Sequence, residues 1–258
     1  MSHEVNSIAV IGAGTMGSGI SLIAATSGID AFQVDISAEQ LERAKEYHSK
    51  VLTRNVKKER MTEDEKVAAL ARITYVDSMD AAKSADWAVE AATENPEIKA
   101  KLFATMRATF PDHAVLATNT SSISITQIAT ATGDAADRVV GMHFFNPVPV
   151  MKLVEVIKGL ATSDETVART MTLAERMKKT PISANDRAGF VSNRVLMPLI
   201  NEAFYAWMEG VAEPEAIDEI MKLGCNFPMG PLRLADFIGL DICHDIMMVL
   251  YRELGDQK

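Results

Sequence analysis

The segment that most constrains this chain is Ser7-Ile8-Ala9-Val10-Ile11-Gly12-Ala13-Gly14-Thr15-Met16-Gly17. An apolar run suited to a buried strand breaks into Gly-x-Gly-x-x-Gly. It resumes as a helix-compatible stretch through Ile20, Leu22, Ile23, Ala24 and Ala25. Glycines at this spacing permit a tight turn, a close backbone approach to a pyrophosphate, and close packing of the next helix on the strand. The helix start then aims unbonded N–H groups and its positive dipole end at phosphate. Gly12, Ala13, Gly14, Thr15, Met16 and Gly17 are therefore the candidate cradle. The spacing alone occurs by chance, but here a second apolar strand, Ala31-Phe32-Gln33-Val34, follows and ends in Asp35. An acid about 20 residues past the glycines is placed to bind a ribose diol; the other reading of Asp35 is a cap for the next helix. The acid would repel a 2′-phosphate and no arginine adjoins it, so the expected dinucleotide is NAD rather than NADP.

The 258 residues allow one large or two modest domains, and 48% hydrophobic with 24% charged residues describes an ordinary globular chain. A net charge of −9 argues against nucleic acid or an anionic membrane as the main partner, because both need a basic face. Cys225 and Cys243 are isolated, which fits a reducing compartment better than a disulfide framework and offers no metal-ligand spacing, so no metal is expected. The N-terminus runs almost at once into the first strand and no apolar run reaches membrane-spanning length. The expectation is a soluble cytoplasmic protein without a leader.

Strand-like and helix-like runs alternate from residue 7 to about 178. Apolar spacing predicts helices over 38–58, 62–71, 97–109, 125–131 and 163–178, with Thr62 and Glu65 in the form of a capping box. Strands are predicted at 73–76, 87–91, 114–118, 139–145 and 152–157. This is an α/β pattern, a Rossmann-type doubly wound, mostly parallel sheet. Near residue 186 the pattern changes to helices alone, a long one carrying Val195, Leu199, Ala203 and Trp207, a short one over 216–223 with Gly224 as its cap, and one over 240–254. The expected organisation is thus a nucleotide-binding domain over 1–186 and a smaller all-α substrate and dimerisation domain over 187–258. The apolar stripes of the helical part are wide, as for packing on a second subunit, although closure on its own sheet would also use them. The methionines there read as filler rather than ligands.

The strand ending in His143-Phe144-Phe145-Asn146-Pro147 places a histidine at the carboxyl edge of the sheet, where open α/β folds bind ligands. Twelve residues on, Glu155 interrupts the run Leu153-Val154-Glu155-Val156. A buried carboxylate needs a partner, and His143 is the natural one. A glutamate on one ring nitrogen would fix the tautomer and support a general base that accepts an alcohol proton; a structural strand histidine is the other reading. Asn119-Thr120-Ser121-Ser122 follows a strand at the same edge, suited either to binding a substrate oxygen or the nicotinamide ribose, or to capping a helix.

Several blocks occur in order: Gly-Ala-Gly-Thr-Met-Gly at 12–17, Glu-Ala-Ala-Thr-Glu at 90–94, Asn-Thr-Ser-Ser at 119–122, His-Phe-Phe-Asn-Pro-Val-Pro at 143–149, Lys-Leu-Val-Glu-Val at 152–156, Gly-Phe-Val-Ser-Asn-Arg at 189–194 and Pro-Met-Gly-Pro at 228–231. Together they closely resemble the 3-hydroxyacyl-CoA dehydrogenase family, and within it the branch acting on short-chain 3-hydroxybutyryl-CoA. The resemblance implies reversible NAD-linked oxidation of (S)-3-hydroxyacyl-CoA to 3-oxoacyl-CoA, the pair 3-hydroxybutyryl-CoA and acetoacetyl-CoA being the expected partners. It implies His143 as base and Glu155 as its orienting partner. Ser121 and Asn193 fall where the family holds the reacting oxygen and thioester region, and Glu94, Lys99, Ser121 and Asn146 at cofactor-side positions. Substrate would lie between sheet and helices, in a homodimer joined through the helical domain. Lys58, beside Lys50 and Lys57, falls near a CoA-contacting lysine of the family, though these lysines also read as a solvated helix face. Family members continue past Lys258 into a Gly-Arg-Lys-x-Gly-x-Gly-Phe-Tyr type segment, so this tail is expected to be missing, either because the sequence is a piece of a longer chain or by nature. A sister dehydrogenase acting on a free sugar acid, or a non-catalytic NAD-binding protein, are the alternative readings.

Overall fold

The structure, a computed structural model, describes residues 4–255. It divides into two compact units, Met1–Asp186 and Arg187–Lys258. The first is one eight-stranded sheet in the order β3-β2-β1-β4-β5-β6-β7-β8. Its strands are β1 (Ser7–Ile11), β2 (Asp30–Val34), β3 (Ile73–Val76), β4 (Trp87–Glu90), β5 (Val115–Thr118), β6 (Val139–Phe144), β7 (Leu153–Lys158) and β8 (Thr180–Asn185). All neighbours are parallel except β6 and β7. The helices are α1 (Thr15–Thr26), α2 (Ala38–Lys57), α3 (Glu63–Ala71), α4 (Pro96–Thr109), α5 (Ile125–Ala129) and α6 (Asp164–Arg176).

Alternation along the strands decides what reaches the site. Ile8, Val10, Trp87, Val89, Val115, Ala117, Val140, Met142, Phe144, Val154 and Val156 join residues of α1 and α6 in one buried cluster. Successive side chains on a strand point to opposite faces. Glu90, Thr118, His143 and Glu155 therefore share the other face. The chain passes from β3 at one edge back to β4 beside β1, which makes the β1–β4 boundary the switch point where open sheets leave a crevice.

Strand β8 is a six-residue extension of the sheet that the pattern does not announce, because Thr-Pro-Ile-Ser-Ala-Asn is an edge strand, largely exposed and carrying a proline. Edge strands tolerate both. Thr62 and Glu65 form the expected capping box, at the start of α3.

The second unit, described by itself, holds α7 (Ser192–Met208), α8 (Pro214–Cys225), α9 (Pro231–Ile238) and α10 (Leu240–Leu254). Met197, Ile200, Ala235, Cys243, Ile246 and Leu250 form one core, and Ala203, Ile217 and Leu232 a second. Gly224 lies inside α8; the helix ends instead on Asn226 at φ 57°, a left-handed conformation that asparagine tolerates. Helix α9 goes unannounced because its start is folded into Pro-Met-Gly-Pro. Pro231 supplies its first turn, and the Asp218 carboxylate accepts from the Leu232 and Arg233 amides at 2.9 and 3.0 Å.

Candidate functional site

The glycine loop joins β1 to α1. Gly14 caps α1 without any side-chain hydrogen bond, so the first-turn amides are left for an external acceptor. Gly12 sits at φ 103°, and a Cβ there would lie 2.6 Å from the Ala91 carbonyl oxygen. On Gly17 a Cβ would come within 1.8 Å of the Gly12 oxygen, whereas on Gly14 it would meet nothing within 4 Å. Gly12 and Gly17 thus serve the turn itself, and Gly14 keeps open the space beside an uncapped helix start. That is the cradle a pyrophosphate requires, and the residues present fit a dinucleotide.

Asp35, at the end of β2, accepts from the Ala13 amide at 2.8 Å and from the Ser37 amide at 2.9 Å. Ser37, not Asp35, caps α2 through the Gln40 amide. The carboxylate therefore ties the glycine loop to the end of the second strand.

At the ends of β4 and β5 the register pairs Glu90 with Thr118. Lys99 of α4, only 1% exposed, forms an ion pair with Glu90, and Thr118 Oγ1 donates to the same carboxylate at 2.8 Å. Glu90 also accepts from the Ala92 and Thr93 amides, which shapes the turn beyond β4. Lys99 Nζ stands 3.8 Å from Glu94. The exposed Glu94 carboxylate accepts from the Ser121 amide at 2.7 Å, the Ser121 hydroxyl at 3.1 Å and the Thr120 hydroxyl at 2.7 Å. Asn119 Oδ1 accepts from the Phe144 amide at 2.9 Å and so ties the end of β5 to the end of β6. Capping of α5 falls to Ser124, which leaves 119–122 out of that role.

His143 and Glu155 face each other across the one antiparallel pair, in direct register. The ring Nδ1–H donates to Glu155 Oε2 at 2.8 Å, with both residues buried at 7% and 4% exposure. Phe145 packs on the imidazole with centroids 4.6 Å apart. With Nδ1 committed to the carboxylate, Nε2 carries the acceptor pair, and the anion stabilises the imidazolium that forms when a proton arrives. Such a pair can act as a general base and, in reverse, as a general acid.

Of the expected site residues, the first unit brings together the glycine loop with Asp35, Glu94 with Ser121 and Lys99, and His143 with Glu155. Asn146 is exposed on the loop between β6 and β7, before a cis Pro147. Lys58 is exposed at the end of α2, as are Lys50 and Lys57. Asn193 is buried at the second position of α7, in the second unit. The roles of buried Glu90 and Thr118 and of half-buried Asn119 were not foreseen. Their signal was present, since each closes or follows an apolar strand at the same sheet edge.

Comparison with known proteins gives a consistent result. The family model for the 3-hydroxyacyl-CoA dehydrogenase NAD-binding domain matches residues 7–187, and that for the C-terminal domain of the same family matches 189–258. A probable 3-hydroxybutyryl-CoA dehydrogenase of Bacillus subtilis is 52% identical over 99% of this chain and 88% of its own length. A 3-hydroxybutyryl-CoA dehydrogenase of Bradyrhizobium diazoefficiens is 44% identical over 100% and 88%. The crystal structure of (S)-3-hydroxybutyryl-CoA dehydrogenase from Ralstonia eutropha superposes with a TM-score of 0.95 at 48% identity, covering 98% of this chain and 89% of that one.

Proposed function

The chain belongs to the 3-hydroxyacyl-CoA dehydrogenase family, and from that premise we propose that His143, oriented by Glu155, is the acid–base group of its reaction. The protein is an NAD-dependent oxidoreductase that interconverts (S)-3-hydroxyacyl-CoA and 3-oxoacyl-CoA, with 3-hydroxybutyryl-CoA and acetoacetyl-CoA as the substrate pair. The hydrogen-bonded pair of His143 and Glu155 at the carboxyl edge of the sheet carries the mechanistic reading.

When bound, the nicotinamide ring supplies a hydride acceptor or donor. In the oxidative direction His143 Nε2 takes the proton of the substrate 3-hydroxyl as the C3–H bond releases its hydride and the C3–O bond becomes a carbonyl. Glu155 stays ionised and balances the imidazolium. In the reductive direction the same imidazolium returns the proton to the carbonyl oxygen. The Ser121 hydroxyl, at the neighbouring strand end and held by Glu94, is suited to hold the reacting oxygen or the cofactor ribose. The cofactor is assigned to residues 12–17, Asp35, Glu94 and Asn146. Lys99 acts behind them, since its burial on Glu90 makes it a holder of the turn that presents Glu94. Asn193 and Lys58 are assigned to the acyl-CoA on the motif match.

A homodimer through the helical unit belongs to the same reading. It is supported by large apolar side chains exposed there, among them Met208, Val211, Leu223 and Phe237. Two unpaired thiols, Cys225 and Cys243, support a cytoplasmic location. Among the described residues no helix is long and apolar enough to cross a membrane.

Mixing the protein with NADH and acetoacetyl-CoA should consume NADH absorbance, and His143→Ala should abolish the consumption. Decline with a free oxo acid but not with the thioester would move the chemistry to another substrate class. Sedimentation at micromolar concentration should give twice the chain mass; a single-chain mass would remove the dimer.

A further inference from the structure

Behind the glycine loop lies a chain of buried polar side chains that the hydride chemistry does not use. Gln33, one residue before the end of β2, and His48, on α2, are both 0% exposed. Gln33 Nε2 donates to the Gly12 carbonyl at 2.8 Å and to the Val10 carbonyl at 3.3 Å, while its Oε1 accepts the Ser21 hydroxyl at 2.5 Å. His48 Nε2–H donates to the Ser18 carbonyl at 2.7 Å, and its Nδ1 accepts the hydroxyl of Tyr75, on β3, at 2.7 Å. The Ser18 hydroxyl donates to the Ala13 carbonyl at 2.9 Å.

Two elements, β2 and α2, thus reach carbonyls of the loop and of the first turn of α1 from the buried side, and Tyr75 of β3 stands behind His48. A fully buried amide and imidazole are costly unless every polar atom is satisfied, and aliphatic residues would fill the same volume without that demand. The network has a geometric effect that aliphatic residues lack. In a trans peptide the carbonyl of one residue and the amide of the next point in opposite directions. Holding the Ala13 carbonyl inward turns the Gly14 N–H outward, and holding the Gly12 carbonyl fixes the plane whose N–H reaches Asp35.

We infer that Gln33 and Ser18 are positioning residues for the dinucleotide: from behind, they preset the peptide planes of the glycine loop, so that the loop does not reorganise on binding, while His48 seats Ser18 through its carbonyl. Tyr75 and Ser21 orient them. Preorganisation of this kind strengthens binding by removing an ordering cost, with no contact to the ligand. The inference rests on the reading that the glycine loop takes the pyrophosphate.

The test uses NADH binding to the full chain, followed by fluorescence, together with steady-state kinetics on acetoacetyl-CoA. Gln33→Met keeps the side-chain volume but removes the amide. It should raise the Kd and KM for NADH about tenfold, or about 1.4 kcal/mol, through loss of its hold on the Gly12 carbonyl. Tyr75→Phe, at the outer end of the chain, should raise them roughly threefold. Turnover at saturating NADH and the KM for acetoacetyl-CoA should stay at wild-type values in both. A purely structural role would instead lower the thermal midpoint or the active fraction and leave the NADH Kd of the folded protein unchanged, which would overturn the inference. Ser18→Ala, which removes only the bond to Ala13, keeps the test open if Gln33→Met does not fold, and the same two outcomes apply to it. Absence of NADH binding by the wild-type chain would bring down the cofactor-site reading itself, a result distinct from wild-type binding with unaltered variants.

Discussion

At the residue scale, the chemistry comes down to who neutralises whom. Glu155 is buried and has His143 as its hydrogen-bonded neighbour in register. Glu155→Gln preserves shape and one acceptor oxygen but removes the anion that balances the imidazolium. It should lower turnover roughly ten- to a hundredfold, within the range acid–base assistance supplies, while NADH affinity stays unchanged. Equal turnover across the pH range would reduce Glu155 to a strand residue. Lys99 presents the converse case, a cation whose burial is tolerated only beside Glu90. Lys99→Met should cost about 3–5 kcal/mol of stability by stranding the carboxylate, and Glu90→Leu added to it should restore part of the loss. Urea unfolding of the single and double variants measures both.

At the element scale, the glycine loop separates two demands that a motif search merges. Gly14 has an ordinary helical-approach φ of −70° and open space around its missing Cβ. Gly14→Ala should therefore leave the thermal midpoint of the free protein within about a degree while weakening NADH binding tenfold or more, because only the ligand fills that space. An unchanged Kd would mean that phosphate does not approach there. The network behind the loop gives a pH signature of its own. Burial lowers the His48 pKa from 6.5 to about 4, the bond to the Ser18 carbonyl opposing it. The unfolded chain then takes up the proton first, so stability should fall as pH drops from about 6.5 towards about 4 and level off below that. The full loss is about 3 kcal/mol. Thermal midpoints between pH 7 and pH 4.5 should show a slope that His48→Leu removes.

Across the whole molecule, what was legible in the sequence follows from how locally each feature is encoded. The nucleotide loop, the alternating strands and helices, and the change to helices alone near residue 186 rest on contiguous patterns. The antiparallel seating of β7 follows from the short connection Phe145–Lys152, which holds no crossover helix. Strand β8 was hidden because an exposed edge needs no apolar run, and α9 because a turn motif covered its start. Gln33 and His48 were passed over for a different reason. One polar residue in an apolar segment looks like noise until the fold brings Ser18, Ser21 and Tyr75 round it from separate elements. The burial of Lys99 on Glu90 was hidden for a similar reason, since a motif carries position but not depth.

His143 and Glu155 are the two ends of one rung of a backbone ladder in the interior of the sheet, so their spacing is set by the strands and not by loop flexibility. Deuterium uptake at their amides should accordingly be among the slowest in the chain, proceeding only through global opening. The enzyme would then keep its proton-transfer geometry during warming until the sheet itself melts, and inactivation and loss of strand signal would share one transition.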